Sequence, residues 1–277
     1  MERIQSALEK AREARGEIPQ ETPVRGEGET QGHAASSAAD RWLELEEATI
    51  NPRILRRNRV MAYEGGVEAG PFDMLRTKVL QQMRANNWRR LVITSPTSGC
   101  GKTTTSCNLA FSLARQPDVR TMVIEIDMRR PAMARTLGQK KLQHQFGKVL
   151  SGTAAMRDHV IRYGNNLCFG TNHAPMHNSA ELLQSQTTVE ALAEIEKTLE
   201  PTIMIFDTSP LLVSDDTIGF LGQVDCALLV AEAESTTIDE IDTCEKDLAA
   251  HTNVLGVVLN KCRYMGKGYG YGYGYGY

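Results

Sequence analysis

The sequence predicts an α/β fold in which a mostly parallel central sheet carries helices on both faces. Short apolar runs alternate with helical stretches through most of the 277 residues. The runs are continuous and rich in β-branched residues or leucine, the pattern of strands buried on both faces. Hydrophobic residues make up 41% of the chain, enough for a sizeable core.

The elements follow in order. "RLVITS" (90–95) reads as a strand, and a helix runs on through "KTTTSCNLAFSLARQ". "TMVIEID" (121–127), "NLCFGT" (166–171), "TIMIFDT" (202–208), "CALLVAE" (226–232) and "VLGVVLN" (254–260) are further strands. "TTVEALAEIEKTLE" and "TTIDEIDTCEKDLAAH" read as helices between them. Each opens on threonine with an acidic residue close behind, which suits an N-terminal turn. Strand–helix alternation implies parallel strands. Ligands in such sheets gather at the carboxyl ends of the strands.

This pattern sets the domain organisation. Residues 1–15 place Ile4, Leu8 and Ala11 about one turn apart among charged residues, the mark of a short amphipathic helix. Residues 16–59 read as a flexible linker, rich in Gly, Glu, Thr and Ser at first. Within it, "WLELEE" (42–47) brings apolar side chains back to lie against the main domain, which runs over 60–263. A tail of alternating tyrosine and glycine occupies 264–277 and holds six of the eight tyrosines.

Composition narrows the function. A net charge of −3 argues against a dedicated nucleic-acid binder, although "RILRRNR" and "NNWRR" form small basic clusters. The six cysteines are scattered without a CxxC pair, which disfavours a zinc site and fits a reducing cytoplasm. The charged N-terminus lacks the apolar core of a signal peptide. Apolar runs such as "CALLVA" fall far short of the roughly 20 residues a spanning helix needs. Any membrane association is therefore expected to go through a partner.

One strand ends in "SPTSGCGKTTT". Gly99, Cys100, Gly101, Lys102, Thr103 and Thr104 lie between that strand and a helix, the context in which a glycine-rich loop cradles phosphates. The glycines let backbone N–H groups turn inward, and the helix N-terminus adds partial positive charge. Lys102 would reach the β- and γ-phosphates of ATP, and the Thr103 hydroxyl would ligate Mg²⁺. Pro96 stands where the usual first glycine would be. Two further strand ends deliver Asp127 and Asp207, placed for a nucleotide-bound Mg²⁺ directly or through water.

With these residues in view, the chain resembles the bacterial protein-tyrosine kinases of capsular and exopolysaccharide synthesis, autokinases on a P-loop NTPase fold. "SPTSGCGKTTTSCNLA" is similar to their Walker A segment, "VIEIDMRRP" to their second Asp-bearing motif and "IMIFDTSP" to their Walker B. "NSAELLQSQ" (178–186) and "VSDDTIGF" (213–220) are similar to their connecting segments. The resemblance covers about 70–277. It implies transfer of the ATP γ-phosphoryl group to tyrosine, mainly on the tail of a neighbouring subunit. It implies catalytic roles for Lys102, Asp127 and Asp207, with Thr103, Asp127 and Asp207 at the metal and Asp127 as base for the phenol. It implies self-association, a membrane polysaccharide co-polymerase of the chain-length-determinant type as partner, and a cytoplasmic location at the inner face of the plasma membrane.

The chain departs from the family at several points. Glu125 stands where the family has aspartate, one methylene shorter. The family's interface helix carries one Glu and two Arg at three-residue spacing, whereas "GPFDMLRTK" (70–78) keeps only Arg76, with Gly70 and Asp73 at the other places. Ser209 replaces the first proline of "DTPP". Thr97 occupies the position of a lysine found in the septum-positioning and partition ATPases.

The tail supplies Tyr264, Tyr269, Tyr271, Tyr273, Tyr275 and Tyr277 as phosphoacceptors. From Gly266 to Tyr277 an extended chain spans at most roughly 40 Å, enough to reach a neighbouring active site. The alternative reading is a nucleotide-dependent switch that regulates a membrane polysaccharide assembly with little tyrosine phosphorylation.

Overall fold

The structure, a computed structural model, describes residues 37–139 and 143–263. The expected N-terminal helix, the linker through residue 36 and all six tail tyrosines lie outside the described residues.

The chain enters through α1 (Ala38–Leu43), β1 (Glu46–Glu47), α2 (Pro52–Arg57) and α3 (Gly70–Ala85). Next come β2 (Arg90–Thr94), α4 (Lys102–Ala114), β3 (Thr121–Glu125), α5 (Met133–Thr136) and α6 (Gly147–Leu150). β4 (Val160–Tyr163), β5 (Leu167–Gly170), α7 (Ser179–Leu183), α8 (Gln186–Leu199) and β6 (Ile203–Asp207) follow. The last elements are α9 (Asp215–Phe220), β7 (Cys226–Glu232), α10 (Ile238–Ala249) and β8 (Asn253–Asn260).

The eight strands form one sheet in the order β1-β4-β5-β3-β6-β2-β7-β8. Every neighbouring pair is parallel except β4 with β5. Alternation of side chains across each strand feeds two apolar layers. Leu91, Ile93 and Val123 point into one, with Phe111 of α4 and Val79 and Met83 of α3. Val92, Met122, Ile124 and Phe206 point into the other, with Leu192, Ile195 and Leu199 of α8 and Leu248 of α10. The central strands are thus covered on both sides, which explains their unbroken apolar sequence.

Three expectations need correction. "WLELEE" (42–47) lies against the main domain as expected, but the rest of residues 37–59 is also built into the fold rather than strung out as linker. Trp42 is fully buried and donates its indole N–H to the Leu199 carbonyl at 2.6 Å, β1 pairs with β4, and Leu55 of α2 is also fully buried. α8 is capped by Ser185 rather than by threonine, the Ser185 hydroxyl accepting from the Thr188 N–H. α10 does open on threonine, with Thr237 and Glu240 forming a reciprocal capping box. Finally, β8 is not buried on both faces. It is an edge strand, and Val257 and Leu259 are 45% and 60% exposed.

Candidate nucleotide-binding site

The site is built where β2, β3 and β6 end side by side. β2 runs out into residues 95–101, and α4 begins at Lys102. Gly99 and Gly101 take φ of +91° and +96°, a region that glycine enters without strain. Gly101 also has no room for a side chain, because a Cβ there would lie 2.2 Å from the Asn260 side-chain nitrogen. That nitrogen donates to the Cys100 carbonyl at 2.8 Å, so the end of β8 buttresses the loop. No side chain caps α4. Its first N–H groups, those of Lys102, Thr103 and Thr104, are therefore free of a side-chain acceptor, which makes this 13-residue helix a ready anion site.

The Cys100 side chain is buried, and its thiol donates to the Thr97 carbonyl at 3.3 Å. It belongs to the apolar layer beneath the loop, so only its backbone faces a ligand.

Asp207 closes β6 and is fully buried. Its carboxylate accepts the Thr103 hydroxyl at 2.7 Å and the Ser106 hydroxyl at 3.3 Å. Burial pushes this carboxyl up to about 6, against the Thr103 hydrogen bond and the Lys102 charge. Its backbone carbonyl accepts the N–H groups of Ile126 and Asp127, so β6 also aims the start of the next loop. Asp127 is partly exposed and accepts the Arg130 N–H at 3.2 Å. Burial raises its carboxyl and the Lys102 ammonium lowers it. Lys102 is itself 7% exposed. The structure thus brings together Gly99, Gly101, Lys102, Thr103, Thr104, Asp127 and Asp207.

The donor set fits a nucleotide-bound Mg²⁺. Thr103 and Asp207 offer a hydroxyl and a carboxylate oxygen in hydrogen-bond contact at a helix N-terminus. Among the described residues no group of three or more His, Cys, Asp or Glu side chains could by itself hold a metal. Mg²⁺ needs no such cage, since it takes one or two carboxylates together with phosphate oxygens and water.

Glu125 does not join this group. One carboxylate oxygen accepts the N–H groups of Ala132 and Met133 at 2.6 and 2.7 Å, and the other accepts that of Asn172 at 2.8 Å. It caps α5 from a distance and ties β3 to the end of β5. Burial pushes its carboxyl up to about 7, with those N–H groups pulling the other way.

The sequence reading missed Arg129 and Asp216. The Arg129 guanidinium grips the buried Asp216 carboxylate through two bonds of 2.8 and 2.9 Å, and Ser179 donates to the same carboxylate at 2.9 Å. The pair ties the loop that carries Asp127 to α7 and α9. Its signal was the arginine two positions after Asp127 and the paired acids in "VSDDTIGF".

Arg76, the one residue kept from the interface pattern that the resemblance implied, turns inward. It donates to the Ser112 carbonyl at 3.1 Å and pairs with Asp73, which also receives Ser112 and Arg115.

Fold and site together define a nucleotide-binding α/β domain of the P-loop class. The chain belongs to the CobQ/CobB/MinD/ParA nucleotide binding domain family, whose model matches residues 91–267. It is 30% identical over 188 residues to EpsB of Ralstonia solanacearum, a match that takes in 67% of this chain and 24% of EpsB. The chain thus spans about a quarter of that relative's length. It is 28% identical over 183 residues to the tyrosine-protein kinase CpsD of Streptococcus pneumoniae, covering 65% of this chain and 79% of CpsD. Among solved structures, the kinase domain of VpsO superposes with a TM-score of 0.63 at 27% identity, over 75% of this chain and 97% of that domain. The fold, the P-loop and the resemblance to bacterial tyrosine kinases expected from the sequence are all present.

Proposed function

We propose that the protein is an ATP-dependent protein-tyrosine autokinase that phosphorylates the C-terminal tyrosines of a neighbouring copy and thereby regulates exopolysaccharide or capsule synthesis and export. The observation that carries this reading is the convergence of Lys102, Thr103, Asp127 and Asp207 at three adjacent strand ends beside an uncapped helix N-terminus. Similarity to proteins named tyrosine-protein kinases and the tyrosine-rich tail point the same way.

In this reading the N–H groups of residues 99–104 and the Lys102 ammonium hold the polyphosphate and neutralise its charge. Mg²⁺, bound with the nucleotide, supplies charge neutralisation between the phosphates. Thr103, Asp207 and Asp127 would be the residues to hold it. Asp127 is the only one of the three carboxylates that reaches solvent and is not consumed by backbone bonds as Glu125 is. Its raised proton affinity suits the acceptance of a phenol proton. The proposed partner is a membrane polysaccharide co-polymerase, which would bring the protein to the inner face of the plasma membrane. No described helix is long and apolar enough to cross a membrane.

Phosphosite mass spectrometry after incubation with Mg-ATP tests the proposal. Phosphate is expected on Tyr269–Tyr277 and is expected to vanish in Lys102→Met and Asp127→Asn. Nucleotide binding with an unmodified tail would replace the kinase with the nucleotide-dependent switch.

A further inference from the structure

The least guarded feature outside the nucleotide site is the outer edge of β8. This strand pairs with β7 on one side and is last in the sheet. Over eight residues, "NVLGVVLN", it has no charge and no proline, two of the devices that blunt an edge, and its one irregularity, opposite Ala227 and Leu228, comes before Val257. Ala233 donates its N–H to the Asn260 carbonyl. That bond sets the alternation: Val258 and Asn260 turn their backbone groups towards β7, and Val257 and Leu259 turn theirs outward. The same two residues expose their side chains, at 45% and 60%. A row of outward peptide groups and two bare apolar side chains on one face together form a template for an added strand.

We propose that this edge is the docking site of the chain's own segment Tyr269–Tyr277, which adds to the sheet as an antiparallel strand and leaves it when phosphorylated. Three matches single out this occupant. Tyrosine and glycine alternate strictly over residues 269–277, so an extended segment presents every ring on one face and bare backbone on the other. Nine residues at about 3.3 Å cover roughly 30 Å, against roughly 26 Å for the eight residues of β8. Eight residues, 261–268, lie between β8 and the segment, Gly266 and Gly268 among them, and a connection of that length lets the chain return antiparallel. Opposed residues in such a pair share a face, so tyrosines opposite Val257 and Leu259 cover both, and the glycines leave the other face free.

Phosphorylation reverses the balance. Successive rings on one strand face stand about 7 Å apart, and each phosphate adds about −1.5 to −2 charges. The cations nearest the strand's end are already engaged, Lys261 with Glu232 at 2.8 Å and Arg263 with Glu234 at 3.6 Å. The release step rests on the proposed kinase reading, whereas the docking step does not.

Hydrogen exchange separates the two. The Val257 and Leu259 amides are expected to exchange about tenfold more slowly in the full chain than in a chain ended after Arg263, at every protein concentration. The double variant V257K/L259K is expected to expose the remaining β8 amides to the same extent as the truncated chain, with β2 and β6 protection unchanged. Equal exchange in full and truncated chains overturns the docking. Protection that grows with concentration also overturns it, assigning the edge to a second copy. Lys102→Met, unable to phosphorylate, is expected to keep its edge protected in Mg-ATP while the native chain loses protection. Protection that survives tail phosphorylation, verified by mass spectrometry, overturns the release.

Discussion

Glu125 shows how one methylene is used. Its two carboxylate oxygens accept three backbone N–H groups, from residues 132, 133 and 172. Aspartate, the family's residue here, reaches these donors only by pulling the loop inward. Glu125→Asp is therefore expected to lower stability by about 1–3 kcal/mol, the cost of leaving buried N–H groups unpaired. Urea unfolding measures it, and an unchanged midpoint would remove Glu125 from its structural role. The sequence marked the position as a departure only because the family it resembles has aspartate there. Only the distances to Ala132, Met133 and Asn172 show that its oxygens are spoken for. Asp127 and Asp207 were singled out by the strand-end rule, and the fold sets both at strand ends beside the phosphate loop. Arg129 and Asp216 were not legible as a pair, since 87 residues separate them and only the fold brings them to 2.8 Å.

At the level of elements, α1 acts as a strap across α8. Trp42 is fully buried and Arg41 donates to the Thr198 carbonyl, so the segment is pinned to the last turn of a helix more than 150 residues away. Trp42→Ala is expected to cost about 3–5 kcal/mol through the cavity it leaves. The loss should appear in the melting temperature while the nucleotide affinity of the folded protein stays as it was, since the bonds that pin α1 run to the end of α8. A drop in affinity without a drop in stability would contradict the strap. Composition placed this stretch within a linker, although the apolar side chains of "WLELEE" were expected to lie against the main domain. β1, two glutamates, carries no apolar signal at all. The central strands were readable because burial on both faces demands unbroken apolar sequence. β8 carried the same signal and lies at the edge, since strand order is not written in any one strand.

For the molecule as a whole, the paired ends of β3 and β6 place two carboxylates, Glu125 and Asp207, deep in the sheet. Their carboxyls sit at about 7 and about 6, above ordinary values of 4.5 and 3.8. Between those ordinary values and the raised ones the folded chain binds more protons than the unfolded chain. These groups therefore make the nucleotide-free protein less stable as pH rises from about 4 to about 7. Asp207→Asn removes one of them. At pH 8 the variant is expected to exceed the native protein by about 1–3 kcal/mol, with the gap closing near pH 4. Thermal unfolding at both values checks this, and a variant less stable than the native chain at pH 8 refutes the account. The strained acid is the counterpart of its proposed work, since a Mg²⁺ ion and Lys102 would stabilise the ionised form that burial disfavours.

What the sequence determined by itself was whatever rests on local pattern. Apolar runs gave the α/β class, glycines followed by Lys102 and Thr103 between strand and helix gave the phosphate loop, and strand-end acids gave Asp127 and Asp207. What the tertiary structure alone decided was whatever rests on partners distant along the chain. It committed Glu125 to backbone N–H groups, turned Arg76 inward, coupled Arg129 to Asp216, folded residues 37–59 onto the sheet and left β8 open. The reason is physical: periodicity and backbone conformation act within a few residues, whereas burial and hydrogen-bond partners are set by which distant segments the topology makes neighbours.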